Sequence, residues 1–260
     1  MKNPLAGRSV VVTGGASGIG LAAVEMLIDA GCSVVMADIS KDIGEREFVR
    51  IKQKIDAEGL ESQLKFLQTD VSEENDVKAM VDLAVSSYGK LDGAINCAAF
   101  TPLNVLLHEL SNEQWDRSFA VNMRGMFLCM RHQIRAMLKN GTGSIVAVSS
   151  TAAVRAVPSS SDYSANKAGI NGLVRAAALD YADKGIRVNC MMPGAIATPG
   201  QQKSAASNPD FDKLIELFPV KRLGKAEEAA AGAVFLLSDA ASYITGAVLP
   251  VDGGHTAFYR

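Results

Sequence analysis

Residues 9–31 limit the fold more than any other stretch. Ser9–Thr13 reads Ser-Val-Val-Val-Thr, a β-branched run without alternation, which is the pattern of a strand buried on both faces. Gly14, Gly18 and Gly20 follow at once. Leu21, Val24, Leu27 and Ile28 then recur at helical spacing until Gly31 stops the run. A buried strand that passes through a glycine-rich turn into a helix opens a βαβ unit, and such units build parallel sheets covered by helices.

The rest of the chain repeats that alternation. Apolar runs at 34–38, 64–69, 92–97, 144–149, 186–192 and 247–251 read as further strands. Between them, residues 41–58 carry Ile43, Phe48, Ile51 and Ile55 at helical spacing. Ser72 is the expected start of the next helix, with Glu73 and Glu74 in a first turn whose dipole favours acids. One long helix is expected over 111–139, with Ser111 as N-cap and Gln114 completing a capping box. Two more are expected over 161–183 and 227–237. Residues 198–218 are polar and mixed, and read as a loop or substrate lid. No linker, repeat or low-complexity tract divides the chain. The expected fold is α/β: one Rossmann-like domain over 1–260, a doubly wound parallel sheet of about seven strands with helices on both faces.

Composition excludes several classes of function. The net charge is −2, and the Lys and Arg residues are scattered, so no basic stripe suits nucleic acid or an anionic membrane. No apolar run reaches the ~18 residues of a membrane span, and the N-terminus lacks the apolar core of a signal peptide. Cys32, Cys97, Cys129 and Cys190 are far apart and form no C-x-x-C pair; buried free thiols fit a reducing cytoplasm. His108, His132 and His255 are not clustered, so no metal site is expected.

Two constellations carry chemistry. A strand, a glycine turn and a helix N-terminus make an anion site, because unpaired N–H groups and the helix dipole face the ligand together. Asp38 ends the second strand, 18 residues after Gly20, where a carboxylate accepts from ribose hydroxyls and repels a 2′-phosphate. No Arg or Lys stands at Gly15, Ala16, Ser17, Ile39 or Ser40, so NAD is favoured over NADP. Further along, Tyr163 and Lys167 are four apart, which on a helix places both side chains on one face. A free tyrosine ionises near pH ~10, and a fixed ammonium beside a phenol favours the phenolate, so the pair can trade protons near pH ~7.

With these residues in this order, the chain resembles the short-chain dehydrogenase/reductase family over nearly its whole length, roughly Leu5 to Gly254. Thr13-Gly-Gly-Ala-Ser-Gly-Ile-Gly20 looks like that family's cofactor turn, and Asp70-Val71 like its adenine-contacting pair. Asn96-Cys-Ala-Ala99 is similar to its Asn-Asn-Ala-Gly motif, with Cys97 for Asn and Ala99 for Gly. The second departure puts a Cβ where the cofactor ribose should pass, and a local shift is expected. Asn122, Ser150, Tyr163 and Lys167 match the family's catalytic residues; the thirteen-residue spacing to Tyr163 selects Ser150 over Ser149. Pro193-Gly194-Ala-Ile196-Ala-Thr198 matches the segment that carries the nicotinamide amide, through the Ile196 backbone and the Thr198 side chain.

The resemblance implies an NAD cofactor held by Gly14, Ser17, Gly18, Ile19, Gly20, Asp38, Ile39, Asp70, Val71, Asn96, Ala98, Tyr163, Lys167, Pro193, Gly194, Ile196 and Thr198. It implies that Tyr163 handles the proton, Lys167 holds charge beside it and grips the nicotinamide ribose, and Ser150 fixes the substrate oxygen. Asn122 would anchor a water that relays protons from Lys167. It also implies a homotetramer built on the helices at 111–139 and 161–183. The candidate substrate lining is mostly apolar: Phe100, Leu103, Ala152, Ala153, Val154, Val157, Pro158, Gln201, Gln202, Phe211, Leu214, Leu217 and Phe218. That lining disfavours phosphorylated substrates. A secondary alcohol on an apolar skeleton is expected, and the C-terminal stretch looks like that of relatives acting on cyclic alcohols and diols. One alternative is a 3-oxoacyl-thioester reductase, against which Asp38 argues because reductive biosynthesis draws on NADPH. Another is a non-catalytic nucleotide-binding protein on the same fold, against which the intact Tyr and Lys argue.

Overall fold

Successive residues of a strand point to opposite faces of a sheet, and here both faces are apolar. The computed structural model describes residues 5–199, 215–216 and 218–257. Val11, Val35, Ala94, Ile145, Ala147 and Val188 pack on one side of the sheet, and Val10, Val12, Val34, Ile95, Val146 and Met191 on the other. That two-sided burial explains the apolar runs of the inner strands Ser9–Thr13, Ser33–Asp38 and Gly143–Val148.

Seven strands form one parallel sheet: β1 (Ser9–Thr13), β2 (Ser33–Asp38), β3 (Leu64–Gln68), β4 (Gly93–Asn96), β5 (Gly143–Val148), β6 (Ile186–Pro193) and β7 (Val248–Val251). Their order is β3-β2-β1-β4-β5-β6-β7. The helices α1 (Gly18–Asp29), α2 (Lys41–Glu58) and α7 (Ala226–Leu237) cover one face. The other is covered by α3 (Glu74–Tyr88), α5 (Gly125–Asn140) and α6 (Ser161–Tyr181), with α4 (Asn112–Phe119) leading towards α5. The chain leaves β1 in one direction and returns to its other side at β4. The crevice beyond the ends of β1 and β4 is therefore the switch point where such sheets bind ligands.

Most expected elements are present, and three boundaries differ for physical reasons. The third helix starts at Glu74, not Ser72. Ser72 is drawn into a turn instead, its N–H and Oγ–H both donating to the Asp70 carboxylate at 2.9 and 2.6 Å. The Ser111–Gln114 capping box forms as expected. The helix it starts does not run unbroken, because Ala120–Arg124 widens into a π turn before α5. The expected 161–183 helix ends at Tyr181 and tightens into a 3₁₀ turn. Of the expected lid, residues 200–214 and 217 lie outside the described residues, and with them Gln201, Gln202, Phe211, Leu214 and Leu217.

Candidate active site

Close packing of backbone builds the first half of the site. A Cβ on Gly20 would lie 2.0 Å from the Gly14 carbonyl oxygen, and one on Gly14 would lie 2.8 Å from the Ala98 nitrogen. Gly14 and Gly18 also have φ of 65° and 51°, a region that favours glycine. The turn is thus folded against itself and against the residues that leave β4. Thr13 fastens the same junction: its Oγ1 accepts from the N–H groups of both Cys97 and Ala98 at 3.2 Å. The N-cap of α1, Ser17, makes no capping bond with its side chain, and the first turn holds no acidic residue. Its N–H groups and dipole are left facing the crevice, a cradle that fits a pyrophosphate.

Neighbouring residues complete that cradle. The Asp38 carboxylate is aimed back at the turn, accepting from the N–H groups of Ala16 and Ser40, each at 3.0 Å. Ile39 beside it is 59% exposed. Thr198 lies against Gly18, since a Cβ there would approach the threonine methyl to 3.0 Å. Residues 180 apart in the chain are thereby brought to one edge. Pro193 and Gly194 follow β6 into this edge, with the Gly194 N–H bonded to Val251. Ile196 forms a bridge with Gly224, and its carbonyl accepts from the Thr198 N–H at 2.8 Å. Val71 is buried beneath the start of α5, where a Cβ on Gly125 would meet it at 2.9 Å.

Buried polar side chains build the second half. Lys167 is 2% exposed, and its ammonium donates to the Val148 carbonyl at 3.0 Å. The same nitrogen stands 5.4 Å from the centre of the Tyr163 ring, so the helical spacing does place both groups together. Burial pushes the Cys97 thiol up to about 11, against the pull of the Lys167 ammonium. The two adjacent serines separate cleanly. Ser149 is buried and donates to the Lys167 carbonyl at 3.0 Å, while half-buried Ser150 accepts from the Ala152 N–H at 3.1 Å and keeps its hydroxyl proton to offer.

Two asparagines of the site have amides bonded within the fold. The Asn96 amide is 1% exposed and pairs reciprocally with Gln133, at 2.9 and 2.8 Å. Its side chain braces β4 against α5. The Asn122 amide is tied to the loop after β4: it accepts from the Phe100 N–H and donates to the Phe100 carbonyl, both at 3.0 Å. The sequence did not single out Gln133, and it marked Thr13 only as the first residue of the glycine turn. The signal for Gln133 was a lone amide among Met126, Met130 and Met137 on the apolar stripe of α5.

A further wall closes on the loop after Ser150. Arg155 donates to the His255 carbonyl at 2.5 Å, and the His255 ring packs edge-on against Phe218, centroids 4.7 Å apart. These contacts bring together three segments that are distant in the chain.

Comparison with known proteins agrees with this geometry. The profile of a family described as Enoyl-(Acyl carrier protein) reductase matches residues 14–256. A 2,5-dichloro-2,5-cyclohexadiene-1,4-diol dehydrogenase of Sphingobium indicum is 41% identical over 255 residues, 97% of this chain and 98% of that one. A cis-4-hydroxycyclohexanecarboxylate dehydrogenase of Sinomonas cyclohexanicum is 38% identical over 260 residues, 99% of this chain and 100% of the other. Among solved structures, levodione reductase superposes with a TM-score of 0.91 at 33% identity, covering 98% of this chain and 99% of that one.

Proposed function

Because this chain belongs to the short-chain dehydrogenase/reductase family, we infer that it interconverts a secondary alcohol and its ketone, with NAD as cofactor and Tyr163 as acid and base. The observation that carries this reading is the buried Lys167 ammonium, held by Val148 within 5.4 Å of the Tyr163 ring centre. When bound, the nicotinamide supplies the acceptor or donor of hydride. The remaining steps belong to the chain. Ser150 hydrogen-bonds the substrate oxygen and orients it. Tyr163 takes the hydroxyl proton in oxidation and returns it in reduction. Lys167 keeps positive charge beside the phenol and offers further N–H groups to a ribose. Asn122, held in the π turn by its paired bonds to Phe100, anchors the water that relays protons from Lys167.

Asp38 supports NAD over NADP, since its carboxylate sits on the cradle and would repel a 2′-phosphate. The names of the two dehydrogenase relatives, both of which act on ring alcohols, support a cyclic secondary alcohol or diol as substrate. Exposed Phe127 and Leu138 on α5, with Leu179 on α6 at 83% exposure, support pairing of these helices in a homotetramer. The four free cysteines suit a reducing cytoplasm.

The test is absorbance at 340 nm with NAD⁺ or NADP⁺ against a panel of cyclic secondary alcohols. Oxidation with NAD⁺ is expected, and Tyr163→Phe should lower kcat by about 10²–10⁴-fold while NAD⁺ still binds. Full turnover by the Phe variant would remove Tyr163 from the mechanism.

A further inference from the structure

Beyond the four matched residues, the second half of the site contains a buried polar chain that the mechanism above does not use. Ser118 on α4 and Asn166 on α6 are both 0% exposed. Asn166 Nδ2 donates to the Asp162 carbonyl at 2.8 Å, which settles the orientation of its amide, and to Ser118 Oγ at 3.2 Å. The Asn122 amide is likewise oriented by its paired bonds to Phe100, and its Nδ2 reaches Ser118 Oγ at 3.5 Å. One hydroxyl oxygen, with two lone pairs, therefore receives an N–H from each amide. Among the described residues, Asn166 Oδ1 is buried without a partner. Of the two bonds that Nδ2 makes, the one to Ser118 is the bond that leaves its own helix.

The positions of these residues matter more than the bonds themselves. Asn166 immediately precedes Lys167, and Ser118 lies one turn before Asn122. On its sheet side α6 is fastened by Lys167 to Val148 and by Ser149 to the Lys167 carbonyl. Ser118 supplies the opposing attachment on the α4 side. We propose that Ser118 and Asn166 are positioning residues that hold the π turn and the Tyr163–Lys167 helix in register, so that proton transfer keeps its geometry. This rests on the assignment of Tyr163 and Lys167 made above. Neither residue touches the reacting atoms. Both act by limiting the rotation and slide of α6, and displacement of a reacting group by a fraction of an ångström has a large effect on rate.

The experiment compares Ser118→Ala, Asn166→Ala, the double variant and Ser118→Thr, using the full-length enzyme, NAD⁺ and a cyclic secondary alcohol. Ser118→Ala should lower kcat about tenfold and move the rising limb of its pH profile for oxidation to higher pH. NAD⁺ affinity by calorimetry should stay within about twofold of the parent value. Asn166→Ala should act in the same direction, and the double variant should lose less than the sum of the two single losses, since both changes remove the shared Ser118–Asn166 bond while each also removes one bond of its own. Ser118→Thr keeps the hydroxyl and should restore the pH profile. An unmoved pH profile, a kcat within about twofold of the parent, or additive losses in the double variant would overturn the proposal. Should Ser118→Ala fail to fold, Asn166→Ala decides by the same criteria. Tyr163→Phe separates this proposal from its premise. A dead Phe variant beside a normal Ser118→Ala sinks only the positioning role, whereas an active Phe variant sinks the assignment of the base.

Discussion

The glycine turn and the α4–α6 cluster lie at the same edge of the sheet but are built on opposite principles. In the turn, the fit comes from side chains that are missing: Gly14 and Gly20 are packed so closely that a Cβ would enter the shell of a backbone atom. In the cluster, the fit comes from side chains that are present and buried: Lys167, Asn122, Asn166 and Ser118 are each 2% exposed or less. The tightest contact of the first, Gly20 on Gly14, lies within one turn of chain, although Gly14 also packs on Ala98. The second depends wholly on partners far away in sequence, as with Ser118 and Asn166, 48 residues apart. A phosphate cradle needs only backbone N–H groups, and local geometry supplies them. Proton transfer needs charges held in a dry interior, and only tertiary contacts can satisfy those.

That contrast can be tested by perturbing each side. The largest effect is expected in the cluster. Lys167→Met keeps most of the volume but removes the charge, and kcat should fall by about 10²–10⁴-fold in steady-state assays. A loss below tenfold would mean that the ammonium serves folding more than chemistry. In the turn, Gly20→Ala forces a methyl to 2.0 Å from the Gly14 oxygen. It should destabilise the protein by about 1–3 kcal/mol and weaken NAD⁺ binding in calorimetry, with kcat at saturating NAD⁺ much less affected. A kcat effect as large as that of Lys167→Met would erase the distinction between the two regions.

Gln133→Ala sharpens the line between bracing and catalysis. It leaves the buried Asn96 amide unpaired, which costs about 1–3 kcal/mol and should appear as a fall in Tm with kcat nearly unchanged. The smallest effect lies outside both regions, at the exposed Arg222–Glu228 pair. Arg222 and the Lys225 N–H hold the Glu228 carboxyl at about 2, below its ordinary 4.5. A depressed carboxyl stabilises the folded state above pH 4.5 and loses that contribution as pH falls towards 2. The Tm of Glu228→Gln should therefore lie slightly below the parent near neutral pH, and the two curves should converge across that window.

The legibility of the chain follows the same division. The order of strands and helices could be read because burial on two faces writes nearly continuous apolar runs into β1, β2 and β5. The Ser111 capping box could be read because its two partners are three residues apart. The break at Ala120–Arg124 could not, because those residues suit an ordinary helix and a distant backbone group, at Phe100, holds Asn122 in the widened turn. Asn96 and Asn122 stand out in the sequence as polar residues in apolar surroundings. What their amides do was hidden, since a sequence shows that an amide is present but not which partner occupies it.

What the chain determined on its own was the path of its backbone through the crevice between β1 and β4, since glycine spacing, strand burial and helix caps act over short range. Which polar groups face a ligand and which are spent holding the interior together was decided only by the assembled fold. Every buried donor and acceptor competes for partners there, and those partners come from segments that meet only once the sheet has formed.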